Sequence, residues 1–192
     1  MTSVLVTAPA VEPISLSEAK EHLRVDGSDE DTLISGLISA AVSHVDADGV
    51  LGRAMISQTW AYWTRSSPGV VTLPMSPFQS LTSVEYYDAD NALQSATASD
   101  FETRLAGDRV TLRPKSGKVW PPAYTREDAI KITYVAGFGA AATDVPQSIR
   151  QALLLLIGHW YESRTAVSEI SMKEVPLAVG SLIGCERVGW YG

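Results

Sequence analysis

Three histidines and two acidic residues near them are the candidates for metal binding or acid-base catalysis. His22, His44 and His159 have no second histidine or cysteine at the spacing of a zinc site. His159 and Glu162 are three residues apart on a predicted helix, a geometry that holds a metal in helical bundles when a second such pair faces it. Only His44 with Asp48 could supply that pair, and a solvated helix end explains each pair more simply. The sequence therefore predicts no metal site and no cofactor.

Nucleophilic and phosphate-binding chemistry is not indicated either. Cys185 is the single cysteine and has no histidine near it in the sequence, whereas a catalytic thiol needs a base or cation that lowers its pKa. The segment Ser116–Lys118 lacks the glycine pattern of a phosphate-binding loop. We predict that the protein is not an enzyme. A small metal-dependent enzyme is kept as a remote alternative.

The negative charge is concentrated at the start of the chain. The formal net charge is −7, and residues 1–50 alone account for it with nine acidic and two basic side chains. A protein that grips DNA would show a basic stripe instead. Asp29, Glu30 and Asp31 form the densest acidic run. It is either a solvated helical face or a surface that repels DNA or meets a basic partner.

Two aromatic residues stand at the end of the chain, where most proteins are polar and frayed. Trp190 and Tyr191 either fold back onto the protein's own core or act as an anchor in another subunit. Tryptophan and tyrosine are enriched among the residues that dominate binding interfaces. The sequence leaves both interpretations open.

Helical signals lie at both ends of the chain. Ser15 with Glu18 three residues later forms a capping box, which predicts a helix near 15–24. A second helix near 28–53 follows from an apolar stripe at helical spacing, and Asp144 with Pro146 opens a third near 145–163. We expect the third helix to pack on the apolar stripe of the second.

The middle of the chain has the two-residue period of β-strands. Trp60 and Tyr62 begin this pattern, and it recurs in segments near 70–73, 83–87, 101–105, 110–112 and 130–134. The sequence thus predicts an α+β fold, a helical bundle with a small inserted antiparallel β subdomain. The predicted parts are residues 1–56, 57–140 and 141–192, which form one domain with an insertion.

The composition favours a soluble globular protein without a membrane role. The chain has 192 residues, of which 45% are hydrophobic and 19% are charged. Its N-terminus lacks the basic region and long apolar core of a secretory signal. The most apolar stretch, Ala152–Gly158, is too short to cross a bilayer.

The order of several sequence blocks resembles the head-tail connector (adaptor) family of tailed phages, in its branch with a strand-rich insertion. The blocks extend over residues 13–183, nearly the whole chain. They are Pro13–Asp26, Asp29–Asp31, Ile56–Trp60, Val84–Asp88, Tyr134–Gly139, Val145–Ala152 and His159–Glu162. The resemblance rests on the ordered set and not on a single diagnostic motif. The same module is similar to proteins of prophages and gene transfer agents.

The resemblance implies a structural role in a virion or phage-like particle. Proteins of this family form a ring, commonly of twelve copies, under the portal protein. The ring extends the DNA channel, through which DNA passes without specific binding, and docks a stopper or tail protein. The resemblance thus implies assembly in the bacterial cytoplasm and a final location in the particle neck. The acidic run at Asp29–Asp31 would line the channel, and Trp190 and Tyr191 would reach the portal. A head-completion stopper or a tail-terminator protein is the alternative.

Overall fold

A computed structural model describes residues 2–106, 109–163, 177–184 and 186. The chain divides into two compact units. The sheet unit comprises Met1–Ala10 and Ser57–Gly137, and the helical unit comprises Val11–Ile56 and Phe138–Gly192. All described strands belong to the first unit and all described α-helices to the second. The predicted mixed α+β class is therefore confirmed.

In its described residues the sheet unit contains two antiparallel sheets. Its strands are β1 (Thr2–Thr7), β2 (Gln58–Thr64), β3 (Val71–Leu73), β4 (Phe78–Tyr87), β5 (Leu93–Ala96), β6 (Phe101–Ala106), β7 (Arg109–Pro114) and β8 (Ile130–Ala136). Five of them form a sheet in the order β1-β2-β8-β4-β5, and the other three form a sheet in the order β3-β7-β6. A single 3-10 turn at Ala98–Asp100 precedes β6.

Alternation along the central strands fixes which face of the larger sheet is buried. Trp60 and Tyr62 of β2 lie opposite Tyr134 and Ile132 of β8, and all four are buried. The backbone N–H of Met75, just after β3, donates a hydrogen bond of 3.1 Å to the Tyr134 hydroxyl. This bond ties the smaller sheet's first strand to the buried face of the larger sheet.

Two strands were not predicted from the sequence. The chain begins in β1, where Thr2 lies opposite Trp63 of β2, so the first residues belong to the sheet unit. The strand was missed because its residues alternate little in polarity and its side chains are mostly exposed. β5 was missed because three of its four side chains are exposed, which removes the apolar period that identifies a half-buried strand.

The helical unit contains four α-helices within the described residues. They are α1 (Leu16–Leu23), α2 (Asp31–Val45), α3 (Gln147–Glu162) and α4 (Leu177–Gly184), and a 3-10 turn at Ala142–Asp144 precedes α3. The predicted capping box of α1 is confirmed. The backbone N–H of Glu18 donates to Ser15 Oγ at 3.2 Å, and the Ser15 N–H donates to the Glu18 carboxylate at 3.4 Å. α1 ends where Arg24 adopts a left-handed conformation.

The second helix is shorter than the predicted range 28–53, which was wrong at both ends. α2 begins at Asp31 and ends at Val45. Beyond it the chain turns back, and the N–H groups of Val50 and Leu51 donate to the carbonyls of His44 and Val45. These bonds satisfy the carbonyls at the helix end and replace further helical turns.

The core of the helical unit lies between α2, α3 and α4. The contacts of α2 with α3 confirm that the third helix packs on the second. Buried side chains come from Ile34, Ile38, Ala41 and Val45 of α2, from Ile149, Ala152, Leu153, Leu156 and Ile157 of α3, and from Val179 and Ile183 of α4. Within the described part of the chain, no helix combines the length and the apolar character that a membrane span requires.

Candidate assembly surfaces

The acidic run at the start of α2 consists of three residues with different surroundings. Asp29 is exposed, whereas Glu30 and Asp31 are partly buried. The Tyr161 hydroxyl of α3 donates a hydrogen bond to the Glu30 carboxylate. Asp31 forms an ion pair of 2.6 Å with Lys20 of α1. Two of the three acids thus join helices of the unit, and Asp29 presents its charge to the surface.

A second ion pair joins α1 to α3. The Arg150 guanidinium contacts the Glu18 carboxylate, and their side chains are 16% and 32% exposed. Glu18 also completes the capping box of α1. Part of the acidic excess at the start of the chain therefore holds helices together, and the exposed part near the α1–α2 connection consists of Glu21, Asp26 and Asp29.

The three histidines have different surroundings. His44 packs edge-on against Trp160, with ring centroids 6.0 Å apart. His22 lies beside Gly158 of α3, and His159 is exposed. Among the residues that the structure describes, no three His, Cys, Asp or Glu side chains are grouped so that they could hold a metal ion.

Trp190, Tyr191 and Cys185 lie outside the described residues. The anchoring role of the two aromatic residues therefore stays a prediction.

One face of the five-stranded sheet carries charged and aromatic side chains that lie far apart in the sequence. Trp63, Lys131 and Glu85 lie opposite one another on β2, β8 and β4. The Lys131 ammonium is 3.0 Å from the Glu85 carboxylate and 5.7 Å from the centre of the Trp63 ring. We call this side of the sheet the Trp63 face. The period of two along β2 predicts that Trp63 lies on a strand. It does not predict the strand order that brings Trp63, Lys131 and Glu85 together.

The Trp63 face continues to Tyr87 near the end of β4. The Tyr87 ring stacks on Trp63 with centroids 6.4 Å apart, and the Arg126 guanidinium lies 4.1 Å from the Tyr87 ring centre. Arg126 also pairs with Asp128. The hydrogen bond from Arg126 lowers the pKa of the Asp128 carboxyl and raises the pKa of the guanidinium, so both groups stay charged near neutral pH.

The edge of the same sheet exposes a run of apolar residues. In β1, the side chains of Val4, Leu5 and Val6 are 48%, 41% and 56% exposed. β1 pairs only with β2, so its other edge is open within the described sheet. Exposed edges of this kind are sites where another strand can add.

Comparisons with known proteins identify the family. The sequence profile named head completion protein matches residues 12–173. No curated protein matches the sequence. Three chains in solved gene transfer agent particles are similar in fold, and each comparison covers 100% of this chain and 98% of the other.

The three structures differ in the state of the particle. A chain in the neck of an empty particle, computed with C6 symmetry, has a TM-score of 0.80 at 24% identity. A chain in the virion of the native particle has a TM-score of 0.76 at 25% identity. A chain in the neck of the native particle, computed with C12 symmetry, has a TM-score of 0.69 at 23% identity. Because the profile spans most of the sequence, the chain belongs to the head completion protein family, and the predicted resemblance to phage-type connector proteins is confirmed.

Proposed function

We propose that the protein is a structural head-to-tail adaptor of a tailed phage or gene transfer agent particle. In this proposal it forms a ring of twelve copies under the portal protein, extends the DNA channel and docks the stopper or tail protein. It is made in the bacterial cytoplasm, acts in the particle neck and has no catalytic role. The observation that carries the proposal is the full-length likeness to a chain in the neck of a gene transfer agent particle, with a TM-score of 0.80.

The insertion of the sheet unit into the helical unit is consistent with a structural protein of an assembly. In this proposal α1, α2 and α3 form a helical bundle, and residues 57–140 are a β subdomain inserted between residues 1–56 and 141–192. The core of the helical unit draws on residues from both sides of the sheet unit's main segment. A scaffold of this kind can keep its core while the inserted unit presents a separate surface to a neighbour or partner.

The first test is assembly with the portal protein encoded near this gene. We expect the full chain to form a ring on the portal, seen in cryo-EM class averages and as a discrete complex mass. A chain lacking Trp190–Gly192 is expected to keep its far-ultraviolet circular dichroism and to bind the portal at least tenfold more weakly, because its aromatic anchor is gone.

The outcomes of this test separate the alternatives. Unchanged portal binding of the shortened chain would exclude the anchoring role of Trp190 and Tyr191. A chain that ignores the portal but closes a preassembled connector would be a stopper, and one that binds only tail tubes would be a terminator. If it joins none of these, a metal assay on the purified protein tests the enzyme alternative.

Asp29 provides a second test, since the proposal places exposed acids near the α1–α2 connection along the channel. Asp29→Lys is expected to leave ring formation unchanged and to slow DNA ejection severalfold, because an added cation binds passing phosphates. The slowing should weaken as salt increases. Ejection is measured by fluorescence of released DNA from completed particles.

A matched control is Asp90→Lys, which changes an exposed acid of the sheet unit by the same charge. Glu30 and Asp31 are not used, because reversing them would break contacts with Tyr161 and Lys20. Equal slowing by both variants, or a ring with Asp29 on its exterior, would contradict the channel assignment.

A further inference from the structure

The four outer edges of the two sheets are protected to different degrees. Edge strands in natural proteins are blunted by charged residues, proline or short length. β3 has three residues, and β6 carries Glu102 and Arg104. β1 and β5, the two edges of the larger sheet, carry no charged residue and no proline. The five-stranded sheet thus has an edge without charge or proline at each end, six residues long in β1 and four in β5.

We propose that copies of this chain join through these two edges, with β1 of one copy pairing with β5 of the next. This inference rests on the proposed ring. A cyclic ring needs two different, mutually complementary surfaces on each copy. The opposite edges of one sheet meet this requirement. Neither edge brings a charge that would be desolvated or repelled on pairing.

Strand direction is consistent with this arrangement. Each neighbouring pair in the order β1-β2-β8-β4-β5 is antiparallel, so β1 and β5 run in the same direction. In a ring of sixfold or twelvefold symmetry, as in the similar particle necks, each copy turns by a small fraction of a circle relative to the next. Strand direction is then largely kept from copy to copy, and β1 pairs with the neighbouring β5 in parallel.

The exposed apolar side chains of the two edges lie on the same side of the sheet. Val4 is opposite Ala61, two residues from Trp63 on β2. Leu93 is opposite Tyr87, two residues from Glu85 on β4. Both therefore point to the Trp63 face, where they are 48% and 46% exposed. Pairing that brings them together removes two apolar side chains from water.

This contact requires a stagger along the strands. Thr2 of β1 and Ser95 of β5 lie on the same cross-strand row, through Trp63, Lys131 and Glu85. Val4 and Leu93 are displaced from that row in opposite directions, each by two residues. Placing them side by side tilts the strands against the ring axis, as the twist of strands in closed β-structures requires.

Cysteine cross-linking on portal-bound rings tests the pairing. All variants carry Cys185→Ser, so that only the introduced thiols react. Val4→Cys is mixed with Leu93→Cys to test the staggered register, and Thr2→Cys with Ser95→Cys to test the unstaggered one. Each mixture is treated with a short bismaleimide. We expect a covalent dimer in the mixture and a ladder of higher multimers when Val4→Cys and Leu93→Cys are in one chain.

Leu105→Cys is the matched control, because Leu105 is 81% exposed on the edge strand that carries charges. Its mixture with Val4→Cys should give at least fivefold less dimer. Val4→Lys, which adds a charge to the open edge, is expected to reduce ring yield at least tenfold, and Leu105→Lys should leave it unchanged. Circular dichroism verifies that both lysine variants are folded.

Electron microscopy of the same samples separates the two proposals. Rings on the portal without a β1–β5 cross-link would overturn the edge pairing and leave the adaptor function intact. Failure of the unmodified chain to form rings would overturn the adaptor function itself. Self-linking by Val4→Cys alone would show β1–β1 pairing, and linking to the portal would show that the portal covers this edge; either result overturns the proposal.

Discussion

Gly49→Ala is expected to destabilise the helical unit by about 2–3 kcal/mol, the cost of forcing extra atoms into a filled site. A Cβ at this position would lie 2.2 Å from the His44 carbonyl oxygen and 2.9 Å from the Val45 carbonyl carbon. Both atoms belong to the backbone at the end of α2. The His44 carbonyl cannot move away easily, because it accepts the hydrogen bond from Val50 that turns the chain back.

Gly36→Ala is the matched control, and its effect should have the opposite sign. Gly36 lies inside α2, and a Cβ there would meet no atom within 4 Å beyond its chain neighbours and the backbone of its own helix. Alanine is favoured over glycine in a helix interior by about 0.5–1 kcal/mol. Thermal unfolding monitored by circular dichroism should show a lower melting temperature for Gly49→Ala and a higher one for Gly36→Ala than for the parent. A Gly49→Ala protein as stable as the parent would contradict the tight turn described above.

The helices were predictable where their signals are local. The capping box of Ser15 and Glu18 lies within four residues, and the apolar stripe of α3 repeats at helical spacing. The predicted end of α2 lay too far along the chain. After the helix, the Asp46 carboxylate accepts a hydrogen bond from the backbone N–H of Met55, nine residues further on. No short-range pattern in the sequence identifies that bond.

The candidate surfaces were predictable only in part. The sequence identified the acidic run but not its internal partners, because Glu30 and Tyr161 are separated by 131 residues. Strands that alternate between a buried and an exposed face were found, whereas β1 was not, because nearly all its side chains are exposed. β1 lacks the one-sided burial on which the period of two depends. Its backbone edge is open for a different reason, its outer position in the strand order.

The stability of the sheet unit is expected to fall as the pH rises from 10 to 12, with Tyr134 as a major cause. Burial raises the pKa of the Tyr134 hydroxyl from 10.0 to about 12. In the unfolded chain this hydroxyl ionises at its ordinary pKa of 10.0. Between pH 10 and 12 it is therefore ionised in the unfolded state but still protonated in the folded state, and the free energy of unfolding falls. The stabilisation is complete below pH 10 and is lost through the interval to pH 12. The difference between the two pKa values corresponds to a loss of about 2.7 kcal/mol in the free energy of unfolding.

Tyr134→Phe should therefore be less stable than the parent at pH 7 and lose less stability at high pH. At neutral pH the change leaves the Met75 N–H without its acceptor, which costs about 1–3 kcal/mol. Between pH 10 and 12 the variant lacks the ionising group, so its melting temperature should fall less steeply. Calorimetry at half-unit intervals from pH 8 measures both slopes. Tyr124→Phe, at an exposed position, should follow the parent. If Tyr134→Phe also follows the parent above pH 10, the buried hydroxyl does not govern the alkaline unfolding of this unit.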